Sequence, residues 1–305
     1  MISKSNQSLV PHQERNTRKK TLEQLDLMDA FMFEASTENP KDAAVIARTI
    51  IKRVTGHELK EFTLENQKQF LGTDLNMRGI RMDLLVQETE QGTTEKPHVR
   101  LYDIEPNTYH IKNLPKRSRF YQAKADGNQL FTGDEFESLP EFIIIWILPY
   151  DPFGDDRMIY TVKNMVVENN ELVYNDGVLK LFLYTKGKIG GSEELKALLK
   201  YFEETTQDNA VDEELKEIQK IVGTIKQSKE EEKRYMTLQE LMEYNYDEGV
   251  TQGIQQGIQQ GIIYTCQSLN RTKEETIETL MSQCDLTAEA AAEYIALYWR
   301  ENVSN

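Results

Sequence analysis

The sequence predicts a mixed α/β domain followed by an all-helical region, and three observations carry that reading. The run "FIIIWIL" at 142–148, bounded by Pro140 and Pro149, has the length and apolarity of a strand covered on both faces. The segments "GIRMDLLVQE" and "VRLYDIEPN" flank a polar turn and read as a hairpin over 80–107. From Ser192 onward the pattern is helical throughout, with capping residues ahead of successive amphipathic stretches.

Taken in order, residues 1–20 form a polar, basic arm that reads as disordered and lacks the apolar core of a secretory signal. Residues 22–36 place Leu22, Leu25, Met28, Phe31 and Met32 near helical spacing. A second helix follows, with Asn39 to cap it, Pro40 at its first position and Gly56 past its end. After the hairpin, "PKRSRFYQAKADGNQL" (115–130) is a helix opened by Pro115 and closed near Gly127. The buried strand comes next, then two strands, "MIYTVKNMVVE" and "LKLFLYTKG", joined through the turn "YNDG". The domain organisation is therefore an arm (1–20), an α/β domain (21–188), a helical extension (189–235) and a helical C-terminal region (236–305). That last region carries a tetrapeptide repeat with glycines at 249, 253, 257 and 261, and a terminal hairpin capped by Thr272 and Thr287. The glycines make a slanting smooth stripe that would let the same helix of a second subunit approach, so a homodimer through these helices is one expectation. A slippage-prone spacer is the other.

The formal net charge of −15 argues at first against nucleic acid. Residues 189–305, however, hold 11 Lys+Arg against 23 Asp+Glu, a deficit of 12 that leaves only −3 for residues 1–188. The first part is free to carry a basic face. No apolar run approaches the ~20 residues of a membrane span. Cys266 and Cys284 show neither disulfide nor zinc spacing, which with the absent export signal points to reduced thiols in a cytoplasm.

Asp83 and Glu105 sit on the two hairpin strands. If they face one side, they repel unless one keeps its proton or a hard cation such as Mg²⁺ or Mn²⁺ joins them. Pro106 cannot serve a central ladder and marks a strand end or bulge. Asn107, two residues beyond Glu105, returns to the same face, where it could hold a water or a phosphate oxygen. The following helix brings Lys116, Arg117, Arg119, Tyr121 and Lys124. Arg117, Tyr121 and Lys124 fall on one face, suited to a phosphate backbone. The alternatives are a solvated acidic hairpin and an ordinary amphipathic helix. His57, His98 and His110 have no metal-ligand spacing.

The string "MDLLV…YDIEPN…LPKRSRFYQA…GDEFESLPEFIIIWILPYDPFG…MIYTVKN…FLYTKG" resembles the PD-(D/E)XK nuclease family transposases, relatives of the recombination-promoting nucleases, over roughly residues 22–235. The resemblance implies a restriction-endonuclease-like fold, a mixed sheet flanked by helices. It also implies Mg²⁺-dependent (or Mn²⁺-dependent) hydrolysis of DNA phosphodiesters by metal-bound water, and a mobile-element origin. Asp83 and Glu105 would be the metal-binding catalytic acids. Asn107 stands where the wider superfamily has lysine and where this group often has glutamine. Asparagine orients water but brings no charge; a second ion, Lys112 or Lys124 would have to compensate, and Asp29 or Glu34 of the first helix would complete a second-metal site. Two other readings stay open. One is a catalytically weak or inactive nuclease-fold module for DNA or protein binding. The other is a toxin-like or defence nuclease acting on RNA.

Overall fold

The computed structural model describes residues 19–71, 78–90 and 98–300; residues 1–18 of the basic arm and 91–97 of the hairpin turn, both read above from sequence, lie outside them. The chain divides into two units, residues 1–232 and 233–305.

The first unit is built on a six-stranded mixed sheet of order β1-β2-β3-β4-β6-β5. Its strands are β1 (Phe62–Phe70), β2 (Ile80–Glu90), β3 (His98–Pro106), β4 (Glu141–Leu148), β5 (Ile159–Val162) and β6 (Val178–Tyr184). The β1–β2–β3 meander is antiparallel, β3, β4 and β6 run parallel, and β5 closes the far edge antiparallel. β4 is the central strand that its apolar run predicts: Phe142 to Leu148 are all buried, five of them isoleucine or leucine. Each such side chain contributes roughly 1.5–3 kcal/mol of transfer free energy, so this strand anchors the core.

α3 (Leu114–Asp126) makes the crossover from β3 to β4. It covers one face of the sheet, packing Leu114, Tyr121 and Ala125 on Leu85, Leu101, Phe142, Ile144, Trp146 and Phe182. α1 (Ala30–Glu38), α2 (Pro40–Thr55), α4 (Glu193–Glu203) and α5 (Glu213–Gln227) pack on one another, with α1 and α2 against β1. The Asn39 side chain caps α2 on the Lys41 N–H at 2.9 Å, and Gly56 ends it in the left-handed region at φ 75°.

Four features differ from the sequence reading. The strand β1 was not expected; "FTLENQKQF" is polar because it is an edge strand, half exposed along most of its length. The first helix does not run from 22 to 36 unbroken: Asp29 caps a fresh start, and only a short 3-10 turn precedes it. "MIYTVKNMVVE" pairs over only four residues. Residues 189–232 are not a separate extension, because Thr205 accepts from the Leu27 N–H at 2.7 Å and Arg53 pairs with Asp212 and Glu214 at 2.7 and 2.8 Å.

The second unit takes up most of α6 (Lys229–Ser268) together with α7 (Lys273–Cys284) and α8 (Ala288–Tyr298). Thr272 and Glu275 form a full capping box, and Thr287 caps α8. Ile263, Leu280, Ala291 and Ile295 form its small core. Both cysteines are free thiols. Among the described residues no helix is long and apolar enough to cross a membrane.

Candidate functional site

Strand register decides where the acids point. Leu84 lies opposite Ile104 and Leu85 opposite Asp103, so one step further Asp83 lies opposite Glu105. Alternation puts Asp83, Asp103 and Glu105 on one face, the face covered by α3. Glu105 reaches across the strand gap, and its Oε1 accepts the Asp83 N–H at 2.9 Å. That N–H is available because the β2–β3 ladder stops at Leu84–Ile104, and because β1 kinks opposite Asp83, with Gln67 in the left-handed region at φ 53°. The Gln67 amide donates to Asp83 Oδ1 at 3.2 Å. One oxygen of each acid is thus engaged. Asp83 Oδ2 and Glu105 Oε2 receive no donor among the described residues, and neither acid forms an ion pair there.

Burial raises all three carboxyls. Asp83 is pushed above its usual range by desolvation, opposed by the Gln67 amide and by Arg81 and Arg117, with Glu34 of α1 adding to the rise. Glu105 and Asp103 are raised much further, by desolvation first; the charge of Asp83 adds to both and that of Asp103 adds to Glu105, while a hydrogen bond with the Glu105 side chain and the charge of Arg117 partly lower Asp103. Asp103 is fully buried, and no N–H or hydroxyl donor among the described residues reaches either of its oxygens. Of the two first-helix acids, Glu34 is the one whose charge Asp83 feels, while Asp29 pairs with Lys20 at 2.8 Å.

Asp83, Glu105 and Asn107 open together into a cleft of about 740 Å³. Pro106 ends β3, as its missing N–H requires, and the Asn107 N–H still bonds the Ile147 carbonyl at 2.9 Å. The Asn107 Oδ1 accepts the Tyr109 N–H at 2.9 Å, which commits the acceptor end of that side chain to the turn and leaves its NH₂ as the functional end. Five cationic residues also line the cleft: Arg78, Arg81, Lys112, Lys116 and Arg117.

The basic helix contributes unevenly. Arg117 donates to the Tyr121 hydroxyl at 2.8 Å and to the Tyr109 hydroxyl at 3.4 Å, and its guanidinium lies 5.3 Å from the Trp146 ring centre. Those contacts hold it half-buried above the acids. Tyr121 is buried and serves as cleft wall. Lys116 lines the mouth, whereas Arg119 and Lys124 lie outside the lining; the Lys124 ammonium sits 5.7 Å from the Phe120 ring centre. Sequence reasoning missed Arg78, Arg81 and Tyr109. The phenol of Tyr109 is drawn below its ordinary pKa by hydrogen bonds from Arg117 and Asn107. Asp103, the other acid of β3, was given no role.

His110 packs on Tyr150 with ring centres 4.7 Å apart, an ordinary loop contact. On the opposite face, His57, Glu88 and Glu90 bring ligand atoms within 4.8 Å of one another, the one such group among the described residues. Sequence spacing could not reveal it, since β2 and the end of α2 meet only in the fold. Its centre is already served by a cation. Arg100 Nη1 stands 3.4 Å from both Glu88 Oε2 and His57 Nε2, and its Nε bonds Glu141 at 2.6 Å. The His57–Glu88 contact is 2.7 Å, and the Lys60 N–H bonds Glu88 Oε1 at 3.0 Å. These contacts satisfy Glu88 without any ion. Comparison with protein-family models, curated proteins and solved structures finds no match to this chain.

Proposed function

We propose that the first unit is a restriction-endonuclease-like nuclease core and that the protein is a metal-dependent DNA endonuclease of mobile-element type, acting in a cytoplasm. The observation that carries this reading is a cleft in which two unpaired carboxylate oxygens, from Asp83 and Glu105, lie beneath five cationic side chains. Acids at the floor and cations at the walls suit a polyanion that must meet a hard cation. The basic walls are local and coexist with an acidic chain, because phosphate contacts depend on the field in the groove rather than on net charge.

The residues fit a divalent ion. Every donor at the floor is oxygen, the set favoured by Mg²⁺ and Mn²⁺ over softer-ligand metals. Asp103 supports the fit independently, because a buried carboxyl without a donor is costly unless something positive or protic meets it. Asp83 and Glu105 would hold the ion, which when bound would polarise a phosphoryl oxygen and acidify water. The chain's own groups do the rest. Lys116, Lys112, Arg78 and Arg81 bind phosphates along the strand. Arg117, fixed by its two tyrosines, stays charged beside the scissile position. The Asn107 NH₂ donates a hydrogen bond to a water or a phosphate oxygen.

Plasmid nicking with Mg²⁺ or Mn²⁺ tests the assignment. Asp83→Ala and Glu105→Ala are expected to lower the rate by about a hundredfold or more, and equal cutting by all three proteins would reject it. RNA digested in parallel identifies the substrate. A second reading is favoured by Asn107, whose acceptor is spent on the turn and which carries no charge: a DNA-binding module of the same fold that has lost turnover. It predicts DNA binding without nicking by any of the three proteins.

A further inference from the structure

The least explained group in the molecule is Asp103. It is fully buried, and no N–H or hydroxyl donor among the described residues reaches its oxygens; its hydrogen-bonding neighbour is the carboxyl of Glu105. Two residues before Glu105 on the same strand, it shares that side chain's face and lies opposite Leu85, two pairs inward from Asp83. The cover above it is α3, whose buried Ser118 hydroxyl has no partner either. A core acid kept for packing alone would be matched by donors, as Glu88 is on the other face. An aliphatic side chain in its place would stabilise the interface with α3 at no desolvation cost.

We infer that Asp103 is a third acid of the cation site, contributing its charge to the ion held by Asp83 and Glu105. This inference rests on the cation reading above and extends it from two acids to three. It also accounts for the position of the group. Asp103 does not line the cleft, so it is unsuited to meet substrate, yet it sits directly behind Glu105, where an ion's charge is felt most strongly. In a poorly screened interior a unit charge behind the ligands strengthens cation binding far more than the same charge at the surface.

Calorimetric titration of the full chain with Mn²⁺ tests this, alongside melting in EDTA and in Mn²⁺. Asp103→Asn is expected to weaken Mn²⁺ binding by about 10–100-fold and to melt in EDTA at or above the wild-type temperature, losing most of the Mn²⁺-dependent gain. Should the amide variant fail to fold, Asp103→Leu takes its place with the same expectation. Wild-type Mn²⁺ affinity in a folded Asp103 variant, while Asp83→Asn and Glu105→Gln lose binding, overturns this inference and leaves the two-acid site standing. A lower melting temperature in EDTA with unchanged Mn²⁺ affinity also overturns it, since that is a purely structural acid. If the wild type binds no Mn²⁺ at all, the two-acid reading falls and takes this one with it.

Discussion

The same pair of strands buries an acid on each of its faces, and the two are treated in opposite ways. On one face Glu88 is fully buried and receives the Lys60 N–H, His57 and Arg100. On the other Asp103 is fully buried and, among the described residues, receives no N–H or hydroxyl donor, only the neighbouring carboxyl of Glu105. Glu88 and Asp103 both sit in the one antiparallel ladder of β2 and β3, so the backbone does not explain the difference. What differs is the neighbour supplied. His57 and the Lys60 N–H, between α2 and β1, and Arg100 of β3 bring donors and a counter-charge to Glu88, whereas α3 brings an aromatic wall and a guanidinium already held by two tyrosines. A buried acid with its donors in place is part of the scaffold; one without them is open to a ligand.

That contrast can be broken in four ways, taken from the largest expected effect to the smallest. The first is catalytic. Glu105→Gln should reduce nicking by about a hundredfold or more, while Glu90→Gln, in the acid cluster of the other face, should leave it within about twofold; comparable losses from both would abolish the distinction. The second is structural. Arg100→Met leaves Glu88 buried without its cation and should cost about 3–5 kcal/mol in denaturant unfolding, with nicking by the surviving folded fraction unchanged.

The third separates the faces by pH. Asp103 and Glu105 have folded pKa values raised above their ordinary 3.8 and 4.5. Their contribution is fully present below those unfolded values and is lost as pH rises through the folded ones. Glu141, paired with Arg100 and His98, is shifted down from 4.5. Its contribution is present above the unfolded value and is lost as pH falls through the folded one. In EDTA the melting temperature should therefore fall as pH climbs from about 4.5 toward neutrality, and divalent cation should restore it. Asp103→Asn should flatten that fall, and Glu141→Gln should flatten only the acid limb. The fourth is the gentlest: Lys116→Ala and Arg78→Ala should each lower the slope of log affinity for DNA against log salt by about 1, while Arg119→Ala, off the cleft, should change it little.

Much of this arrangement could be read from residues alone, and the omissions have physical causes. β4 was legible because a strand buried on both faces must be apolar at every position. The capping of α2 was legible because Asn39, Pro40 and Gly56 are each selected by backbone geometry. Whether Asp83 and Glu105 share a face stayed conditional in the sequence, because the two-residue period fixes faces along one strand and not the register between two; the register puts them together. The edge strand β1 was hidden because exposed edges do not need apolar alternation, and its kink at Gln67 removes what little pattern existed. Arg119 was grouped with Arg117 by charge and Lys124 by helical spacing, but only the packing of Tyr121 on Trp146, ring centres 5.5 Å apart, decides which side of the helix meets the sheet. Arg78 and Arg81 were overlooked because they precede an apolar strand whose entry happens to form the cleft rim. The strand period alone already placed Asp103 on the face of Glu105.

In the second unit, the glycines at 249, 253, 257 and 261 meet nothing: a methyl group added at any of them would contact no atom within 4 Å outside the neighbouring turns of their own helix. Residues 241–258 are exposed along their whole length. A solvent-bathed rod with four such weak links, each costing roughly 0.8–1 kcal/mol against alanine, has little to resist bending or fraying. Thermal agitation would open this stretch well before the sheet loosens, so a protease would be expected to nick the chain there first and release the terminal helices from an intact sheet-bearing unit.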